Sequence, residues 1–346
     1  MTGLSDYIQF EEEEAHFQKI IDLNCMSALK HFKKVIRSYV LFHTVFAFLF
    51  LLELSIFFAF LRSTESKPLI AIILATTVLT IFSYFVLLFY FQAKKPEQFH
   101  QLKSWYMLMC KKSIPEEVAP ALYHLSMANA AYRFSNYLRE KDFHCYAINS
   151  PFQLLNQLFR KISYFLHHKD MLMMKELLLL IAIEEHVTLM KYSPTDLEIH
   201  ASLANAYISL AHLYRFPGNE QQLPIDSLSE LQQHKYHMAM DQAIEEFKII
   251  DDYAPDDPWV HAQLASCYHD LGMYEEEINH YENILSAGQT DSEILFRLGK
   301  LYFQQGHTSK GLKIFEKLKE IKPEKSEELL DNYSFPDFLK LKKVSH

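Results

Sequence analysis

The chain has 346 residues, a formal charge of −9 at neutral pH and only seven glycines. Leu, Phe, Tyr, Glu and Lys are plentiful and the Val/Ile/Thr alternation of strands is missing, so the composition predicts an all-α protein. The basic residues form no stripe, which argues against nucleic acid as a partner. Four widely spaced cysteines form neither a CxxC pair nor a disulfide framework and indicate buried thiols in a reducing compartment: Cys25, Cys110, Cys145 and Cys267.

Residues 1–39 are predicted to form a cytoplasmic helix that begins acidic and ends basic. The basic side chains of its last turns are Lys30, Lys33, Lys34 and Arg37. Two interpretations stay open: the helix lies on the membrane surface, where anionic lipid attracts these charges, or the charges only orient the spans that follow. No cleavable signal peptide is apparent, so the first apolar span is the expected targeting signal.

Two long apolar segments, 40–61 and 69–91, follow this helix. Each is long enough to cross about 30 Å of hydrocarbon at about 1.5 Å per residue, and the link 62–68 is too short for a domain. The sequence therefore predicts a two-span transmembrane hairpin, with a buried soluble hairpin as the alternative. Basic residues are more frequent outside the two spans than in the link, which places both termini in the cytoplasm, with a bacterial inner membrane as the expected location.

Glu53 is the single carboxylate in the first span. It costs about 2.5–3.5 kcal/mol near the centre of a span, which the surrounding apolar residues offset. Counting outward from the link places Glu53 at the depth of Thr77, and Thr76 and Thr80 lie on a hydroxyl stripe of the second span. We therefore predict an intramembrane contact between Glu53 and Thr76, Thr77 or Thr80. The alternatives are a proton relay, self-association through Glu53, and a polar group that the span simply tolerates on its surface.

The region 92–194 is predicted to be helical and to contain a degenerate repeat. Residues 97–192 suggest four helices, one of them an apolar run begun by Asp170 as its cap and too short to span a membrane. The end of a repeat falls at Pro194. Its first helix lies either near 116–140 or near 151–167.

A repeat of 34 residues is the strongest pattern in the C-terminal half. Leu264, Ala265, Tyr268, Gly272 and Tyr281 recur 34 residues later as Leu298, Gly299, Tyr302, Gly306 and Phe315. This pattern resembles the tetratricopeptide repeat (TPR) family, in which each unit is a pair of helices, A and B. It predicts repeats at 258–291 and 292–325 and, with an insertion near 208–234, a third copy within 195–325. Residues 326–346 are expected to form capping helices.

The resemblance implies an α-solenoid of helix pairs whose helix A faces bind a segment of a protein partner. Tentative contact residues are Asn205, Gln263 and Arg297. Of the five positions that clamp the acidic tails of chaperones in some family members, only Asn205 and Arg297 match, so such a tail is not expected. The family's bulky aromatic in helix A is replaced, by His200, His261 and Leu295, and its helix B alanine by Glu277 and Gly311.

No catalytic or cofactor motif is present in the sequence. Glu13-x-x-His16 and Glu277-x-x-His280 have ligand-like spacing, but a di-metal site needs further carboxylates on facing helices, so no metal and no cofactor are predicted. The expected function is a membrane-anchored scaffold or adaptor and not an enzyme. Two alternatives stay open: an enzyme without a recognisable motif, and a host-facing effector in the membrane of a host-derived vacuole. The paired apolar segments resemble the bilobed segment of bacterial inclusion-membrane proteins.

Overall fold

The structure is a computed structural model that describes residues 2–61, 67–115, 118–139, 153–215 and 228–334. These residues form eleven α-helices and contain no strand. The helices are α1 Thr2–Leu61, α2 Lys67–Lys112, α3 Pro120–Arg139, α4 Gln153–Met190, α5 Leu197–Arg215, α6 Glu230–Tyr253, α7 Pro258–Leu271, α8 Tyr274–Ser286, α9 Ser292–Gln304, α10 Thr308–Ile321 and α11 Pro323–Ser334. The chain divides into two compact units between Tyr192 and Ser193.

The first unit contains a bundle built from parts of α1 to α4. Phe32 of α1 packs on Phe99 of α2 with ring centroids 5.4 Å apart, and Tyr106 of α2 packs on Phe134 of α3 at 4.7 Å. The Tyr106 hydroxyl donates a hydrogen bond of 2.8 Å to the Ala130 carbonyl. The apolar face of α1 between Ile21 and Ile36 thus lies inside the bundle, where it is not available to lipid.

α1 and α2 continue from the bundle into the two apolar segments without a break. α1 is one helix of 60 residues that includes both the predicted N-terminal helix and the first span. α2 has 46 residues and continues through Pro96. Both helices are long and apolar enough to cross a membrane, and the most apolar window of each has no buried residue.

The described residues of the region 97–192 contain three helices, the end of α2, α3 and α4. Residues 116–117 and 140–152 lie outside the described residues, so the four helices of this region stay a prediction. Asp170 lies within α4 and is not a cap, and its carboxylate pairs with Lys95 of α2 at 2.6 Å. Residues 153–167 also belong to α4, so the helix that pairs with its later part is α3, near the first of the two predicted positions.

The second unit is a succession of helix pairs, α5/α6, α7/α8 and α9/α10, followed by α11. Each helix A begins at an aspartate whose side chain accepts a hydrogen bond of about 3 Å from a backbone N–H two residues later. The three aspartates are Asp196, Asp257 and Asp291. Pro258 occupies the first turn of α7, where its missing N–H leaves no bond unmade.

The insertion in the first pair lengthens both of its helices. α5 has 19 residues and α6 has 24, whereas α7 has 14 and α8 has 13. A capping box of Ser229 and Gln232 begins α6. At the C-terminal end, α11 begins at Pro323, and its buried Leu329 packs against Gly299 of α9. The second predicted capping helix, 336–343, lies outside the described residues.

Candidate partner-binding surface and hairpin contact

The three predicted contact residues lie on three successive A helices. Asn205 of α5 and Arg297 of α9 are exposed, and Gln263 of α7 is half-buried. Trp259, 34 residues before Glu293, occupies the equivalent place in α7 and is 44% exposed. The helix A faces therefore offer amide, cationic and aromatic groups, the chemistry that peptide-binding surfaces use.

Arg297 already takes part in an ion-pair network. Its Nε donates a hydrogen bond of 3.4 Å to Glu293, whose carboxylate also accepts from Lys325 of α11. The hydrogen bond from Lys325 lowers the pKa of Glu293 below its usual value. The Arg297 side chain is still 57% exposed, so a partner could reach its guanidinium.

Histidine replaces the family's aromatic in two A helices, and both histidines make the same backbone contact. His200 Nε2 donates to the Pro194 carbonyl at 3.0 Å, and His261 Nε2 donates to the Pro255 carbonyl at 2.8 Å. Both rings are buried. The buried imidazole thus satisfies a carbonyl in the loop before its own helix.

The second ring nitrogen of each histidine faces helix B of the same pair. His200 Nδ1 lies 2.6 Å from Glu246, and His261 Nδ1 lies 3.1 Å from His280 Nδ1. Glu246 and His280 are 34 residues apart and are equivalent in register. The third pair has Leu295 and Ile314 at the two positions, both buried and apolar. Where the third pair has an apolar contact, the first pair therefore has a histidine–carboxylate contact and the second has a histidine–histidine contact.

The two pairs shift the pKa of histidine in opposite directions. Burial opposes the charge on His200, but its hydrogen bonds to Glu246 and to the Pro194 carbonyl outweigh that cost and raise its pKa. Burial first, and then the nearby His261, lower the pKa of His280. His280 also stacks on Tyr268, with centroids 5.5 Å apart.

The family's helix B alanine is replaced for two different reasons. Glu277 is 2% exposed, and its carboxylate accepts a hydrogen bond of 3.1 Å from His269, which raises the pKa of that histidine. At Gly311, a Cβ atom would lie 2.5 Å from the Phe303 ring. At the position of the family's alanine, Glu277 thus has a polar partner, His269, and Gly311 leaves room for the ring of Phe303.

A buried polar cluster that the sequence did not predict joins α5, α6 and α7. Arg215 donates to the Tyr236 hydroxyl at 3.0 Å and to the Asp270 carboxylate at 3.1 Å, and His212 lies 3.1 Å from the same carboxylate. Burial opposes the charge on Asp270, but His212 and Arg215 outweigh it and lower the pKa of Asp270. Arg215 lies in the insertion, eight residues after the helix A motif ends. The 34-residue repeat pattern therefore does not predict its role in this cluster.

The hairpin contact involves Glu53 and one of the three predicted threonines. Thr80 Oγ1 donates to Glu53 Oε1 at 2.8 Å. Thr76 and Thr77 instead donate to the Ile73 carbonyl of their own helix, at 2.8 and 2.9 Å. Farther from the link, His43 Nδ1 lies 3.2 Å from the Tyr84 hydroxyl, a second polar contact between the two apolar segments.

Among the residues that the structure describes, no group of three His, Cys, Asp or Glu side chains is arranged to hold a metal ion. Glu277 contacts His269 and His280 contacts His261, so the ligand-like spacing of Glu277 and His280 serves two separate pairs. The side chains of Glu13 and His16 lie outside the described residues. Cys25, Cys110 and Cys267 are buried free thiols, as predicted, and burial raises the pKa of Cys267 to about 12.

The chain contains tetratricopeptide repeats. The family profile described as tetratricopeptide repeat matches residues 260–287 and 292–325. This confirms the resemblance drawn from the 34-residue pattern, and proteins with this repeat generally bind protein partners.

Two solved structures illustrate what the chain resembles. A thermophilic TPR protein of Thermus thermophilus is 21% identical with a TM-score of 0.31, over 62% of this chain and 92% of that one. Human IFIT1, solved as a dimer with m7Gppp-AAAA, is 16% identical with a TM-score of 0.33, over 66% of this chain and 59% of that one. A comparison with curated protein sequences gave no match.

Proposed function

We propose that the protein is a membrane-anchored adaptor. The apolar parts of α1 and α2 cross the membrane as a hairpin, and the helix pairs of the second unit bind a segment of a protein partner. The observation that carries this proposal is the presence, in one chain, of TPR repeats and of two long helices whose most apolar windows have no buried residue.

The exposed side chains of the hairpin support the anchor. Phe48 is 65% exposed, Phe82 is 65% and Phe89 is 67%, and exposed Leu, Ile and Val side chains surround them. Soluble proteins rarely expose an apolar patch of more than a few hundred Å². A bilayer removes this surface from water, and the helical backbone satisfies its own hydrogen bonds within the hydrocarbon.

The orientation of the hairpin follows from its connectivity and charges. Because two spans with a short link return the chain to the side from which it started, both flanks lie in the same compartment. Lys30, Lys33, Lys34 and Arg37 precede the first span, and Lys94 and Lys95 follow the second. The bias of basic residues toward the cytoplasm then places the second unit there.

The helix A faces are the proposed binding surface because each provides an accessible group from a fixed helix. Asn205, Gln263 and Arg297 supply hydrogen-bonding and cationic groups, and exposed Trp259 supplies an aromatic anchor. Trp259 is held by edge-on packing against Phe247, at 5.9 Å between centroids. An aromatic group held in this way loses little entropy when a partner binds.

Crosslinking in native membranes tests the binding surface. The Asn205→Ala/Gln263→Ala/Arg297→Ala variant is compared with Gln242→Ala/Asn283→Ala/Lys317→Ala, which removes two amides and one cation from exposed positions of the B helices. We expect the first variant to lose the crosslinked species that the wild-type chain and the second variant share. Equal loss from both variants, or from neither, would contradict binding through the helix A faces.

A further inference from the structure

We propose that the base of the hairpin is a binding surface for the headgroups of anionic phospholipids, an inference that rests on the proposed membrane anchor. The surface, named here the basic belt, consists of Lys30, Lys33, Lys34 and Arg37 of α1 and Lys94 of α2. It deepens the proposed function because it specifies the chemistry of the lipid that the anchor selects.

The position of the belt follows from the continuity of the two helices. Because α1 is one helix through residue 61, the basic residues lie at fixed distances from the start of the span at Val40. At about 1.5 Å per residue, Arg37 lies about 5 Å from the span and Lys34 about 9 Å. Lys94 lies about 5 Å beyond Phe91, so these side chains reach the headgroup layer.

The belt is oriented toward solvent by the packing of the bundle. Ile21, Cys25, Phe32 and Ile36 of α1 are buried against α2, α3 and α4. The basic side chains lie outside this packing: Lys30, Lys34, Arg37 and Lys94 are exposed, and Lys33 is half-buried. The bundle core thus fixes which face of α1 remains available, and that face is cationic.

Among the residues whose side chains the structure describes, no acid pairs with the belt residues of α1. Residues 30–39 and 92–103 contain seven Lys or Arg and one acid, Glu97, in a chain whose formal charge is −9. Lys95 is paired with Asp170 and is therefore not part of the belt. Lys94 donates to the Tyr90 hydroxyl at 3.1 Å, a neutral partner that leaves its charge unbalanced.

Anionic headgroups are the occupant that this arrangement favours. Each Lys or Arg near a negatively charged membrane surface gains about 1 kcal/mol, which corresponds to about a fivefold preference. A zwitterionic headgroup offers no net charge to the belt. The long side chains keep their ammonium and guanidinium groups at the interface while their stems cover apolar surface.

Competition between lipids tests the proposal. The full chain is solubilised and equilibrated with equimolar phosphatidylglycerol and phosphatidylcholine of identical acyl chains, and bound lipids are counted by native mass spectrometry. We expect the wild-type chain to retain phosphatidylglycerol preferentially at low salt. The preference should fall by about fivefold or more in Lys30→Gln/Lys33→Gln/Lys34→Gln/Arg37→Gln. High salt should weaken it in the wild-type chain, since the Debye length shortens from about 10 Å to about 3 Å between 0.1 and 1 M.

Two controls separate the belt from general charge and from the anchor itself. Lys310→Gln/Lys313→Gln/Lys317→Gln/Lys319→Gln removes four exposed cations from α10 and should keep the wild-type preference. Flotation with vesicles of phosphatidylcholine and phosphatidylglycerol reports anchoring independently. If the wild-type chain floats but shows no lipid preference, or if the two variants show the same preference, the basic belt is overturned and the membrane anchor is not. A wild-type chain that does not float overturns the membrane anchor and this inference with it.

Discussion

Thr80 and Glu53 form a hydrogen bond of 2.8 Å that connects the two apolar helices. It lies one helical turn from the depth estimated by counting from the link, because Thr77 directs its hydroxyl to its own backbone. The carboxyl group therefore has a partner within the same chain. This hydrogen bond between the two apolar helices forms within one copy of the protein.

Removing the Thr80 hydroxyl should weaken the hairpin. We expect Thr80→Val to lower the free energy of unfolding by about 0.6–2 kcal/mol, the range found for hydrogen bonds between membrane helices. Titration with a denaturing detergent measures this change in micelles. Thr76→Val is the matched control, since the Thr76 hydroxyl bonds only within α2 and its loss should have a smaller effect. Equal effects from the two variants would contradict a role for the Thr80–Glu53 hydrogen bond in stabilising the hairpin.

Glu53→Leu should leave the oligomeric state unchanged. In the structure Glu53 Oε1 accepts a hydrogen bond from Thr80 of the same chain, so this bond does not require a second copy; Glu53 Oε2 is buried without a hydrogen-bond partner among the described residues. Light scattering of the full chain in detergent measures the mass of the complex. A fall in oligomer size on substitution would show that Glu53 joins chains together.

Breaking the buried ion pair of Arg215 and Asp270 should strongly destabilise the second unit. Both side chains are 13% exposed. Removing Arg215 would leave the Asp270 carboxylate near only the two histidines His212 and His269, and loss of one partner costs about 3 kcal/mol or more in comparable pairs. Arg297→Ala breaks an exposed pair and should cost less than about 1 kcal/mol. Urea unfolding followed by Trp259 fluorescence, in a full chain carrying Trp105→Phe, compares the two variants.

Acidification should weaken the second helix pair through His280. Its pKa is lowered in the folded chain, so the unfolded chain binds more protons, and stability is lost as the pH falls below about 6.5. The groups that face His280 are His261, Asp251 and Lys248. We expect His261→Leu/His280→Ile, the residue types of the third pair, to remove this loss in the Trp259 assay. An unchanged pH dependence would contradict the assignment to His280.

The first helix pair should show the opposite pH dependence through His200. Its pKa is raised in the folded chain, so its stabilising contribution is complete below about 6.5 and is lost as the pH rises through the folded value. We expect His200→Leu/Glu246→Ile to cost more stability at about pH 6 than at about pH 8. Hydrogen exchange of α5 and α6, corrected for the intrinsic rate, measures this difference. A larger cost at the higher pH would show that the pair does not act through a protonated His200.

Most of the fold that the sequence predicts follows from the periodic spacing of its residues. The 34-residue spacing of Leu264, Tyr268 and Tyr281 specified two repeats and the starts of their helices because each position makes a local contact. The length of the two apolar segments likewise predicted that each is helical. The continuity of α1 through residue 40 was not predictable, since a change from amphipathic to apolar composition leaves the helix itself unbroken.

Contacts between distant segments were the part that the sequence did not reveal. Asp170 has the residue type and flanks of a helix cap, but its carboxylate pairs with Lys95, 75 residues earlier. Arg215 and Asp270 meet only because the insertion extends α5. The histidines at 200 and 261 were seen as departures from the family pattern. Their bonds to Pro194 and Pro255 required the structure.

Membrane insertion of the full chain is the most direct test of the proposed adaptor. Native membranes that contain the chain are washed with alkaline carbonate, which releases peripheral proteins and retains those whose helices span the bilayer. The proposed hairpin predicts that the chain remains in the membrane pellet and that protease added from the cytoplasmic side digests the second unit. Release of the intact chain into the carbonate supernatant would contradict a membrane-anchored adaptor.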